Sequence, residues 1–104
     1  MDERRLKGLM GLCVRAGQGV FGEEGCLKSL RSGQAALALL DGDISPGSAE
    51  KLESVCRRER IPAFRLPPGF LEEATGRPGK VMAVRPGGFA LQMTGCLEAP
   101  DTKD

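Results

Sequence analysis

A glycine-rich turn that follows a helix, rather than a strand, constrains this chain most. Leu6, Leu9, Met10, Cys13 and Val14 recur at i, i+3, i+4, i+7 and i+8, the stripe of an amphipathic helix, and the stripe stops at Gly17. Gly17-Gln18-Gly19-Val20-Phe21-Gly22 then runs into Glu23-Glu24-Gly25-Cys26-Leu27-Lys28. The spacing Gly17-x-Gly19-x-x-Gly22 matches a dinucleotide-binding fingerprint, but that motif needs a buried parallel strand before its first glycine. A helix in that place argues against it. What remains is a glycine loop whose backbone can approach another surface closely, opening a helix whose first N–H groups are unpaired. Glu23 and Glu24 suit that partly positive end, and Lys28, one turn deeper, can reach a phosphate on the same rim.

Beyond the loop, helical and extended patterns alternate to the end of the chain. The spacing predicts a helix over 3–16, an extended piece over 18–21, a helix over 23–32 and a buried strand over 35–40. Asp41-Gly42-Asp43 reads as a loop. Ser45 and Pro46 then cap and open a helix carrying Ala49, Leu52, Val55 and Cys56 at helical spacing. A strand over 62–66, a short helix over 70–75 ended by Gly76, a strand over 81–84 and a last helix from Pro86 or Gly87 complete the order. Such alternation predicts an α/β domain, a three-layer α/β/α sandwich with a four-stranded mixed sheet and helices on both faces. The expected core holds Leu9, Cys13, Leu27, Leu30, Leu37, Leu39, Leu52, Phe64, Val84 and Phe89.

With 104 residues the chain is expected to be one domain, over 1–97, with a frayed acidic tail over 98–104. No run of eighteen apolar residues and no charged-then-apolar leader is present, so a soluble, cytoplasmic monomer that avoids membranes is expected. Cys13, Cys26, Cys56 and Cys96 form no C-x-x-C pair and there is no histidine, so neither a metal site nor a cofactor is expected and the thiols should be reduced. The missing histidine also removes the commonest general base, which disfavours an enzyme. Residues 97–104 carry a local charge of −2, which leaves +3 on the rest of a chain whose net charge is +1. That mild basic bias is compatible with nucleic acid, and with no Trp or Tyr, base stacking on aromatic platforms is not the expected mode. Arg57, Arg58 and Arg60 crowd one helix end, where they complement its dipole or touch RNA phosphates away from the glycine loop.

Several segments, in order, resemble one family. They are Arg15-Ala16-Gly17 leading to Gly22-Glu23-Glu24, Lys28 with Leu30-Arg31-Ser32-Gly33, the apolar run 35–40, Ile61-Pro62, Leu71 with Ala74 and Gly76, and Gly88-Phe89-Ala90. Together they resemble the kink-turn-binding ribosomal proteins, the large-subunit protein seven-Ae and its thirty-e relatives, and within them the small bacterial YlxQ-type members. The resemblance implies a non-catalytic RNA-binding protein, ribosome-associated or translation-linked, that recognises a sharply bent helix with sheared G·A pairs. It implies that the loop and helix start with Gly22, Glu23, Glu24, Gly25 and Lys28 enter the widened groove, and that Gln18, Gly19 and Arg31 also bind RNA. Arg77, Pro78, Gly79, Lys80 and Val81 would cover a flipped-out nucleotide. The chemistry suits this: a kinked RNA opens a groove that A-form helix closes to side chains, carboxylates accept from guanine edges and lysine neutralises phosphate. Family members commonly have Asn or Lys in place of Glu24, Glu or Gln in place of Gly25, and a lysine near Gln18, so one base-reading side chain is absent here. Two alternatives share the fold: a protein-interaction domain, and an accessory substrate-recognition domain related to RNA methyltransferases.

Overall fold

The computed structural model describes residues 1–100. Among them, nine elements follow the expected alternation: α1 (Glu3–Arg15), β1 (Gly19–Phe21), α2 (Glu23–Arg31), β2 (Leu37–Asp41), α3 (Pro46–Glu59), β3 (Ala63–Leu66), α4 (Phe70–Thr75), β4 (Val81–Val84) and α5 (Gly88–Glu98). α1 and α3 begin where the local chemistry says they should. Asp2 caps α1 by accepting from Arg5 N–H, and Ser45 caps α3 by accepting from Ser48 N–H, with Pro46 next in line.

The strands form one mixed sheet in the order β1-β4-β2-β3. β4 runs antiparallel to both neighbours, whereas β2 and β3, joined through α3, are parallel. In the two central strands every residue is buried, because helices cover both faces. Leu37, Leu39, Met82 and Val84 point to one side, where they pack with Leu6, Met10 and Cys13 of α1, Phe70 and Leu71 of α4, and Met93 and Cys96 of α5. Ala38, Leu40, Val81 and Ala83 point to the other, against Cys26, Leu27 and Leu30 of α2 and Leu52, Val55 and Cys56 of α3. The period of two along each strand thus divides the core into two halves. The α/β three-layer sandwich expected from the sequence is the observed fold.

Three local expectations need correction. Asp41 is the last residue of β2 rather than a loop residue, and its side chain is fully buried. Phe64 is only half-buried because β3 is an edge strand, whose pattern of exposure leaves Leu66 alone fully inside. Phe89, in the first turn of α5, is likewise half-buried against the α1 side of the core. Of the expected acidic tail, Glu98 closes α5, while residues 101–104 lie outside the described residues.

Candidate functional site

The topology brings four chain segments to one end of the sheet. β1, β2 and β3 all finish there and β4 begins there, so the turns at 22–23, 41–45, 67–69 and 76–80 are neighbours. Gly22, at the N-cap of α2, has φ +87° and ψ 148°, a conformation closed to residues with a side chain. It lets β1 turn straight into α2. Glu23 follows, with its carboxylate facing α3, where it accepts from Ser48 Oγ and lies 3.0 Å from Lys51 Nζ. The Ser48 hydrogen bond, and then Lys51, hold the Glu23 carboxyl below its ordinary pKa. This carboxylate therefore fixes α2 against α3. Glu24 is exposed, and with Leu27, Lys28 and Arg31 it lines a shallow groove of about 310 Å³ along the outer face of α2.

The second segment, 77–81, lies beside the first. The guanidinium of Arg77 stacks over the Phe21 ring at 4.4 Å from its centroid, which joins the loop before β4 to the end of β1. The Lys80 carbonyl accepts from Asp41 N–H, and Lys80 Nζ is 4.0 Å from Asp43 Oδ2. Between the segments is an open cleft of about 400 Å³ lined by Gly22, Glu23, Asp43, Ser48, Lys80 and Val81 among others. Pro78 is exposed and Gly79, at φ +147°, completes the turn.

Asp41 anchors this end from below. Its Oδ1 accepts from Asp43 N–H at 2.9 Å and Gly69 N–H at 3.0 Å, and its Oδ2 accepts from Leu71 N–H at 3.2 Å. Burial alone would raise its pKa, but these three donors and the Lys80 charge outweigh burial and hold the carboxyl below the usual range. Next to it, Gly42 fits where a Cβ would come within 2.8 Å of the Leu66 carbonyl and 2.9 Å of Pro68. The β2–α3 turn and the β3–α4 turn touch there, backbone to backbone.

Not every expected residue is at this end. Gln18 lies at the opposite end of β1, where its carbonyl accepts from Arg85 N–H. Gly19 sits within β1 opposite Val84, packed on Met82, and Gly25 faces Val20 inside α2. Arg31, in the last turn of α2, is at the far end of the helix, although it still lines the α2 groove with Glu24 and Lys28. The glycine fingerprint is dispersed: Gly17 follows α1, Gly19 is in a strand and Gly22 caps a helix. Sequence reasoning overlooked Phe21, Asp41, Asp43, Ser48 and Lys51. Only Asp41 carried a signal, as a carboxylate directly ending a six-residue apolar run.

This architecture, a mixed four-stranded sheet between helical layers, is shared with proteins of solved structure. A protein of unknown function from Bacillus halodurans superposes with a TM-score of 0.86 at 28% identity, over 91% of this chain and 98% of that one. The Giardia lamblia 15.5kD RNA binding protein superposes with a TM-score of 0.76 at 18% identity, over 91% and 86% of the two chains. The latter shows the fold alone. No family model matches the sequence. The RNA-binding protein YlxQ of Bacillus subtilis strain 168 is 32% identical over 92 residues, which is 86% of this chain and 92% of the relative. The Enterococcus faecium RNA-binding protein YlxQ is 26% identical over 98 residues, 93% and 95% of the two chains. The chain belongs to the YlxQ family.

Proposed function

We propose that this protein is a non-catalytic RNA-binding module that grips a bent, bulged RNA helix of the kink-turn kind with the loop end of its sheet. The observation that carries the reading is that Gly22 and Glu23 meet Lys80 and Val81 around one open cleft, with Arg77 stacked on Phe21 beside it and Glu24 and Lys28 on the adjoining face of α2. The names of the YlxQ relatives, which describe RNA binding, support the same class of ligand. In this reading Gly22 lets the backbone approach the opened groove and exposed Lys28 meets a phosphate. Exposed Glu24 accepts from guanine N1–H or N2–H₂, while Arg77 and Lys80 flank the displaced nucleotide. Glu23 is a positioning residue, because Ser48 and Lys51 already occupy its oxygens. A ribosomal RNA is the first natural RNA to test, since the resemblance is to ribosomal proteins.

Binding of a kink-turn RNA and of sequence variants, titrated against salt, tests this. Lys28→Ala should weaken all of them alike and make log K against log salt shallower by about one unit or less, as for a single phosphate contact. Glu24→Ala should act differently, removing about 1–3 kcal/mol of discrimination against altered G·A pairs, by analogy with base-edge contacts. If Glu24→Ala tightens every RNA, its carboxylate reads no base. Equal affinity for kinked and straight RNA would remove the kink-turn reading.

A further inference from the structure

The charge of this molecule is not where its loop end is. Around the cleft, Glu23, Glu24, Asp41 and Asp43 stand beside Lys28, Lys51, Arg77 and Lys80, while Arg31 closes the far end of the α2 groove. At the other end of the sheet this mixture of charge is lost. There α1, α2 and α3 finish, β4 finishes, and β1, β2 and β3 begin, so residues 15–18, 31–36, 57–62 and 85–88 are brought together. Arg85 N–H donates to the Gln18 carbonyl and an Arg85 Nη to Gln34 Oε1 at 3.2 Å, while the 57–62 segment is held beside them through β2, where Ala38 N–H donates to the Pro62 carbonyl. These four segments hold Arg15, Arg31, Arg57, Arg58, Arg60 and Arg85, all exposed, no lysine, and Glu59 as their one carboxylate.

Helix dipoles account for part of this. Arg15, Arg31, Arg57 and Arg58 are in last turns, where cations are favoured. Arg60 and Arg85 are not in helices, and Arg60 opposes the local backbone preference. It is the C-cap of α3 at φ +59°, the one described non-glycine residue with positive φ, at a position where glycine or asparagine is favoured. The backbone conformation therefore does not account for an arginine at this cap. Among the described residues, Arg15, Arg31 and Arg60 have no acidic partner, and Arg58 has only its sequence neighbour Glu59.

We propose that this arginine end is a second RNA-binding surface that holds the phosphate backbone of a duplex without reading its sequence. Four strands about 4.8 Å apart give it a width of roughly 14 Å, enough for several phosphates. Arginine forks match phosphate oxygens in pairs. The same four segments expose no aromatic side chain, and their one large aliphatic, Ile61, is half-buried, whereas an acidic protein partner would need an apolar centre to its interface. The proposal extends the RNA-binding reading above, so that one small domain holds two RNA segments at opposite ends of its sheet.

The test uses a blunt RNA duplex of about 20 base pairs without bulges, a kink-turn hairpin, and a variant combining Arg58→Gln, Arg60→Gly and Arg85→Gln. Arg60→Gly suits the left-handed cap, so the variant should keep the wild-type unfolding midpoint or exceed it. The wild type should bind the duplex, and the variant should lose at least about tenfold in affinity, with a salt slope shallower by about 2–3 units. Native mass spectrometry should show hairpin and duplex bound together on one protein molecule. Duplex affinity unchanged in the triple variant overturns the proposal. A polyglutamate peptide bound as tightly as the duplex and lost with the same variant reassigns the surface to an acidic protein. Failure of the loop-end reading appears separately, as loss of preference for the hairpin, and duplex binding lost in the triple variant still supports the arginine end.

Discussion

Asp41 is a fully buried charge held by three backbone N–H donors, two of them 28 and 30 residues away in sequence. Because its carboxyl is held below the ordinary value of 3.8, the folded chain binds this proton less readily than the unfolded one. Its contribution is therefore complete above about pH 4 and is lost as the pH falls through the lower, folded value. Glu23, also depressed, adds a contribution of the same sign in the same acid range. Urea midpoints measured from pH 7 downward should stay level and then fall below about pH 4. Asp41→Asn should be less stable at pH 7 by about 2–3 kcal/mol, since an amide has one acceptor oxygen where the carboxylate has two, and its own fall in acid should be shallower. An unchanged acid limb in Asp41→Asn would show that other carboxylates set it.

At the scale of elements, the contact between the β2–α3 and β3–α4 turns leaves no room for a methyl group on Gly42. Both turns border the loop end, so an added Cβ must push backbone rather than a flexible side chain. Gly42→Ala should cost about 1–3 kcal/mol and lower the thermal midpoint by several degrees. Exchange of the Gly69 and Leu71 amides should quicken as their bonds to Asp41 loosen. A midpoint within error of wild type would mean the turns separate freely. The elements themselves were readable, because periods of 3.6 and 2 are local: α4 and β4 begin and end at the expected residues. What local pattern does not carry is which strand lies at an edge. Phe64 has the look of a core residue, yet strand order decides that one of its sides is open. The candidate site was readable for a similar reason only in part. Gly22 is demanded by a local turn, whereas the partners of Glu23 come from a helix 25 residues later. Gln18 seemed continuous with the loop, but three residues of strand carry the chain to the opposite end of the sheet.

For the whole molecule, the sheet separates two cores that share its central strands, β2 and β4. A Cα radius of gyration of 12.5 Å is close to the ~13 Å expected of a compact domain of this length, so both halves should unfold in one transition. Each half encloses two thiols, Cys13 and Cys96 on the side of α1 and α5, Cys26 and Cys56 on the side of α2 and α3. Burial pushes the Cys13 thiol up to about 11 and the Cys26 thiol up to about 12, and raises that of Cys56. The folded protein should therefore resist alkylation at neutral pH, whereas unfolded thiols near 8.5 react readily. The four sulfurs thus serve as paired stopwatches inside the protein. Labelled under native conditions and read by peptide mass, all four should be modified at one common rate if the sheet gives way as a unit. Two rates, divided between the Cys13–Cys96 pair and the Cys26–Cys56 pair, would reveal a helical layer that peels from the sheet while the other stays shut.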